Sequence, residues 1–278
     1  MRYLFFLPAL LLGGEATAQT FPADSVQLVD TAQALTAETL PAPAQPGWAK
    51  RHRTLLLGTA GALVTAGAGV AAYEWFDEPV KDFTQSKRTA FTKGIAHAVE
   101  PFGRAVPLHG TFAVLLSAGV LLKRPRLREA AAVSLGGFYL NALVTQQLKH
   151  TFQRYRPSSS LHNNQFEGPE GSGKNGSLPS SHTSNAFAAA TAIATVYRDT
   201  RWVPPVAYGV ATLVGLSRIH DNAHWASDVV AGAAIGYLSA KASFIGYHQA
   251  RNLIKRHQWR LMPGWYNGTP TLSASVQF

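Results

Sequence analysis

Three short clusters in this 278-residue chain carry side chains suited to holding and splitting a phosphate ester. The first is Lys149, six residues, then Arg156-Pro157; the second is Pro179-Ser180-Ser181-His182; the third is Ser217-Arg218, five residues, His224, three residues, Asp228. Taken singly, each has a plain structural reading. Lys149 and Arg156 suit the C-terminal end of a helix, Ser180 or Ser181 suits an N-cap, His182 suits a surface position, and Arg218 with Asp228 suits an ion pair between neighbouring turns. Taken together, they offer three cations, a helix N-terminus with free N–H groups and two histidines. A helix N-terminus binds anions through its amides and dipole. Arginine grips phosphate oxygens with a planar fork. Two histidines supply a nucleophile and a proton donor.

These residues need a scaffold that gathers helix ends. Apolar segments run over Thr54–Ala72, Val106–Leu122, Ala130–Leu148, Ser184–Val196, Trp202–Leu216 and Asp228–Tyr247. They exceed ordinary strand length and lack period-two alternation, which predicts helices. Many are rich in Ala and Gly, which let helices approach closely, as in membrane bundles. The expected fold is all-α, a bundle of about six core helices, membrane-embedded or membrane-associated. Length alone lets at least three of the segments cross a bilayer. Basic clusters at Lys123–Arg128, Arg198 with Arg201, and Arg251–Arg260 suit cytoplasmic loops. The stretches 149–183 and 217–227, which hold the chemistry, then share the outer side. A crossing by Thr54–Ala72 after signal cleavage would invert this arrangement, and a soluble periplasmic bundle would avoid the conflict.

The start of the chain reads as an address. Arg2, an apolar run over Tyr3–Leu12 and the small-x-small triplet Ala16-Thr17-Ala18 form a bacterial secretory signal, with Gln19 as the first mature residue. The expected organisation is a signal peptide over 1–18, a flexible linker over 19–49, an N-terminal helical region over 50–105, a catalytic core over 106–248 and a basic tail over 249–278. Thr269 to Phe278 shows some alternation and reads as an ordinary tail. Charged residues are only 14% and hydrophobic residues 46%, which excludes a disordered chain. The net charge of +10 is spread along the sequence, against a nucleic-acid partner built on dense basic patches. There is no cysteine, so thiolate metal sites and cysteine nucleophiles are excluded.

In the order and spacing of K-x6-RP, PSxH and SR-x5-H-x3-D, the chain resembles the type-2 phosphatidic acid phosphatase and vanadium haloperoxidase superfamily. The resemblance covers about residues 106–248. It implies a helical bundle and a phosphatase that needs no metal and no other cofactor. It implies His224 as the nucleophile that forms a phosphohistidine, with Asp228 accepting the other ring N–H, and His182 as acid and then base. Lys149, Arg156 and Arg218, with Ser180 and the Ser181 amide, would hold the phosphate. Ser181 stands where the family usually has Gly, which puts the local loop geometry in question. The implied substrate is a phosphomonoester or pyrophosphate, on a lipid; a soluble periplasmic acid phosphatase, a haloperoxidase and a non-catalytic binder of phospholipid head groups are the alternatives.

Two other patterns carry less. Residues 168–175 approach a phosphate-binding P-loop, but lack the final Ser or Thr and a preceding strand. His220, His224 and Asp228 stand four apart, which on one helix could ligate a metal, but Arg218 beside them disfavours a dication. Activity in excess chelator should therefore equal that in its absence, and vanadate should inhibit. Loss of phosphate release in chelator, restored by a divalent metal, would overturn this reading.

Overall fold

The computed structural model describes residues 67–256, 260–266 and 269–275. The signal peptide, the linker and most of Thr54–Ala72 lie outside them. Helical residues 67–71 lead through a π-helical turn, Ala72–Phe76, into α1, Asp77–Ser86. Helix α2, Ala90–Val99, starts at a capping box in which Thr89 and Thr92 each accept the other's backbone N–H. A 3₁₀ turn, Glu100–Gly103, separates α2 from α3, Ala105–Leu121, and the two helices are bent by 57° there. Then come α4, Pro125–Phe152; α5, Ser181–Val196; α6, Val203–His220; and α7, Ala226–Arg256. The core is all-α, as the apolar runs predict.

Two expectations about the ends of elements change. The tail is not featureless: α7 continues to Arg256, and strands β1, Arg260–Tyr266, and β2, Thr269–Ser275, pair as an antiparallel hairpin in which Arg260 faces Ser275. The chain also breaks helix between His220 and Ala226. His220, His224 and Asp228 therefore share no helix face, which removes the metal-ligand arrangement considered above. His220 turns instead to Thr92 and Asp221.

Helices α5 and α7 form the centre of the bundle, and small residues set their spacing. A Cβ on Gly236 would sit 2.2 Å from the Ser184 carbonyl oxygen, and one on Gly232 would sit 2.6 Å from that of Ser180. Gly137 of α4 similarly meets Ala240 of α7. Alanine lines the interior of α5, with Ala188 and Ala192 wholly buried. The bundle thus packs backbone against backbone.

The outer surface is apolar. Val106 on α3 is 83% exposed and Leu143 on α4 70%, and Leu213 of α6 with Leu238 and Ile245 of α7 also face outward. Such a surface is unfavourable in water and marks contact with another apolar phase. Among the described residues, α7 is long and apolar enough to cross a membrane, and the bent α2–α3 pair qualifies if taken as one span. Helix α4 ends and α7 begins at the end of the bundle where α5 begins and α6 ends. The basic turns at Lys123–Arg124 and Arg198–Arg201 belong to the opposite end.

Gly236→Ala should force α5 and α7 apart and destabilise the fold by about 1–3 kcal/mol, the usual cost of overpacking. Gly110→Ala, where a Cβ would meet nothing within 4 Å, is the control. Thermal unfolding of the two variants in detergent measures the difference.

Candidate active site

Helix α4 stops at Gln153, which takes a left-handed conformation (φ 42°) and donates its backbone N–H to the Lys149 carbonyl. The Gln153 side chain compensates for this sparsely populated geometry. Its amide nitrogen donates to Gly168 O at 2.7 Å and its oxygen accepts from the Gly173 amide. This reversal separates three cations: Lys149 stays on the helix, Arg156 faces solvent beside the site, and Arg154 turns into the protein.

Arg154 is 1% exposed. Its Nη2 donates to Asp77 Oδ2 at 2.7 Å, and its Nη1 to Asp228 Oδ1 at 2.6 Å and to Ser227 Oγ at 2.7 Å. Nε and Nη2 also donate to the Asn163 carbonyl. Asp77 in turn accepts from the Ser227 amide and hydroxyl, at 2.7 and 2.6 Å. A guanidinium flanked by two buried carboxylates, with the remaining lone pairs hydrogen-bonded, meets the conditions under which buried charges are tolerated.

The triad fixes Asp228 behind the histidine. Asp228 Oδ2 accepts from the Ser177 hydroxyl and, at 3.0 Å, from the Trp225 amide. His224 Nδ1 lies 2.7 Å from the Ser177 carbonyl and 3.7 Å from Asp228 Oδ2. This corrects the expected hydrogen bond between His224 and Asp228. The acceptor is a backbone carbonyl, and Asp228 acts one step away, by charge and by holding Ser177. The consequence for the ring is unchanged: Nδ1 carries the proton and Nε2 is left with a lone pair. Burial pushes the His224 pKa down, Asp228 opposes the fall, and the Lys149 and Arg156 charges add to it.

Around His224 opens a cavity of about 390 Å³ lined by Lys149, Arg156, Ser181, His182, Arg218 and His224. These are six of the eight residues that the sequence nominates. Asp228 stands behind the cavity, as above. Ser180 is the other exception, and its expected part in phosphate binding is corrected. Its hydroxyl caps α5, accepting from the Thr183 amide and hydroxyl, while its own amide donates to Asp228 O. It is fully buried and does not line the cavity. By capping α5, Ser180 leaves the first turn, with Ser181 and His182, at the cavity mouth, where a helix N-terminus favours an anion. The loop with the P-loop-like composition supplies Gly173, Lys174, Asn175 and Gly176 to one wall, and the Gly176 carbonyl accepts from Lys149 Nζ.

The electrostatics fit an anion. Burial pushes Lys149 down to about 8, and neighbouring Arg156 contributes. Burial, then Arg218, pushes His182 down to about 4, with Glu100 opposing. Both cationic forms are penalised first by burial and then by neighbouring like charge, and a bound dianion would offset that penalty.

Sequence reasoning overlooks Arg154, Asp77, Ser177 and Glu100. Arg154 lies inside the six-residue gap between Lys149 and Arg156, and its presence as a third cation there is the one available signal. The others belong to no cluster and reach the site only by tertiary packing.

Residues 130–252 match the model of the PAP2 superfamily, and all three clusters fall within that span. A 117-residue stretch is 44% identical to the lipid A 1-phosphatase of Porphyromonas gingivalis, covering 42% of this chain and 22% of that protein. A 95-residue stretch is 37% identical to the bacitracin transport permease protein BcrC of Bacillus licheniformis, covering 31% of this chain and 44% of that protein. The chain thus spans less than half the length of either relative. The transmembrane PAP2-type phosphatidylglycerolphosphate phosphatase from Bacillus subtilis superposes with a TM-score of 0.53 at 20% identity. That overlap covers 72% of this chain and 97% of the other, and shows a shared fold.

Arg154→Met should leave Asp77 and Asp228 as buried carboxylates without a counter-charge. Breaking such a group typically costs about 3–5 kcal/mol. Denaturant unfolding should show a loss of that size, and Arg156→Met, on the exposed side of the same loop, should not.

Proposed function

We propose that this chain, whose residues 130–252 match the PAP2 superfamily model, is a lipid phosphatase of the bacterial envelope that works through a phosphohistidine without a metal ion. The observation that carries the reading is the convergence on one cavity of three cations, the α5 N-terminus and two histidines, one of them with its tautomer fixed. The apolar surface of the adjoining helices supports a lipid-linked substrate and a membrane setting for the enzyme. The outer-side location of the clusters in the charge pattern supports a site facing the periplasm.

In this mechanism His224 Nε2 attacks phosphorus in line. The N–P bond forms as the P–O bond to the leaving group breaks, and the electron pair of that bond goes to the leaving oxygen. Protonated His182 gives that oxygen a proton and becomes neutral. His182 then takes a proton from water as the water oxygen bonds to phosphorus. The N–P bond breaks, its electron pair returns to His224, and phosphate departs. Lys149, Arg156, Arg218 and the amides of the first turn of α5 neutralise the equatorial oxygens. Positioning and charge stabilisation of this kind supply most of the catalysis in phosphoryl transfer. Asp228, through Ser177, keeps Nδ1 protonated so that Nε2 is the nucleophile.

The two histidines should separate by substrate. His224→Ala should abolish acid-quench trapping of phosphoenzyme with every substrate. His182→Ala should cost about 10²–10⁴ in rate on an alkyl phosphate, the usual worth of general-acid assistance, and much less on nitrophenyl phosphate, whose leaving group needs little protonation. Trapped phosphate in His224→Ala, or equal penalties on the two substrates for His182→Ala, would falsify the assignment.

A further inference from the structure

The acid of this mechanism sits where its surroundings disfavour the protonated form. His182 is partly buried at the α5 N-terminus, faces the Arg218 guanidinium, and has His224 and Arg104 nearby, all of which oppose an imidazolium. One carboxylate works the other way. Glu100 Oε1 lies 3.5 Å from His182 Nε2, an ion-pair distance, and accepts from Arg218 Nη1 at 3.2 Å. Glu100 Oε2 accepts from Arg104 Nη2 at 2.7 Å. The Glu100 side chain is only 14% exposed, so its charge is poorly screened.

The delivery of Glu100 is built into the fold. It sits in the 3₁₀ turn where α2 and α3 bend by 57°. The turn packs tightly against α5: a Cβ on Gly103 would lie 2.7 Å from His182 O, and Asn185 Nδ2 donates to Gly103 O at 3.1 Å. The bend thus presses this carboxylate onto the residue that the mechanism needs protonated. Its second partner, Arg218, also donates to Asp221 Oδ2 at 2.6 Å. The Arg218 fork is therefore held by two carboxylates, and a phosphate must share or displace them.

We propose that Glu100 is a positioning residue for the acid step, holding the His182 imidazolium in place so that proton delivery to the leaving oxygen depends on it. This rests on the phosphatase reading above. The sign of the effect follows from charge. Removing the carboxylate makes protonated His182 rarer at neutral pH. Removing the Arg104 cation makes it commoner.

The test compares kcat/KM of wild type, Glu100→Gln, Glu100→Asp and Arg104→Gln on an alkyl and a nitrophenyl phosphate across pH. An opposite charge at this range typically shifts a pKa by about one unit or more, and one unit is tenfold in the protonated fraction. Glu100→Gln should therefore be about tenfold slower than wild type on the alkyl substrate at pH 7. The ratio should begin to close as pH falls through about 4, where wild-type His182 is half protonated, and should approach one only at pH values well below that, where the variant's imidazole is protonated too. On nitrophenyl phosphate the variant should stay within about twofold throughout. Glu100→Asp should recover part of the loss, and Arg104→Gln should move the alkyl rate up by a smaller factor, because Arg104 is more exposed. Vanadate should still inhibit Glu100→Gln, since Arg218 keeps its charge and loses a competitor. An equal loss on both substrates at every pH, a rate change of the same sign in Glu100→Gln and Arg104→Gln, or loss of vanadate inhibition overturns the proposal in favour of a structural role. Absence of phosphate release by the wild type would instead count against the phosphatase reading itself.

Discussion

The site depends on one buried cation. Arg154 is shared between Asp77, at the start of α1, and Asp228, in the first turn of α7, and it comes from the turn that ends α4. Three segments far apart in the chain are tied at a point that water does not reach. Removing a charge from such a cluster costs more than any surface pair, because the partners cannot be resolvated. The same contact immobilises Asp228, hence Ser177, hence the ring of His224. The stability of this end of the bundle and the orientation of His224 therefore rest on the same guanidinium.

From that anchor outward, the electrostatics fall into two sides. Behind His224, Arg154 is neutralised by carboxylates and takes no part in the cavity. In front, Lys149 and Arg156 have no carboxylate partner among the described residues, while Arg218 is held by Glu100 and Asp221. The anion deficit sits on the open side, where a phosphate would enter. Desolvation lowers the basicity of Lys149 and His182. A dianion bound there would raise the basicity of both groups, so that its binding and the protonation of His182 would be coupled.

The sequence made the cavity wall legible and left its support hidden. Lys149, Arg156, His182, Arg218 and His224 announce themselves because phosphate chemistry restricts residue type and because each stands next to a helix end. Ser180 and Asp228 are legible as members of the clusters, but their contacts are not. Ser180 serves as a cap, and Asp228 reaches the histidine through a serine that no pattern marks. Asp77 and Glu100 lie about 150 and 80 residues from their partners Ser227 and His182 in sequence, and only packing brings them together. The helices were readable from apolar runs, since a bundle with an apolar exterior needs little amphipathic patterning. The C-terminal hairpin was not, because two short strands pairing only with each other carry a weak signal.

The glycine contacts between α5 and α7 have a consequence for motion. Where Gly232 and Gly236 let one helix backbone touch the next, there is no side-chain layer to slide or compress. That wall, which carries Ser181, His182 and Asp228, must move as a single block. The bend holding Glu100 is locked to the same block, since Gly103 meets the His182 carbonyl, so any change in the width of the cavity has to come from its other walls, such as the loop that supplies Gly173 to Gly176. The cavity would then breathe on one side only, with His182 and Asp228 kept in fixed register while the entrance changes shape around them.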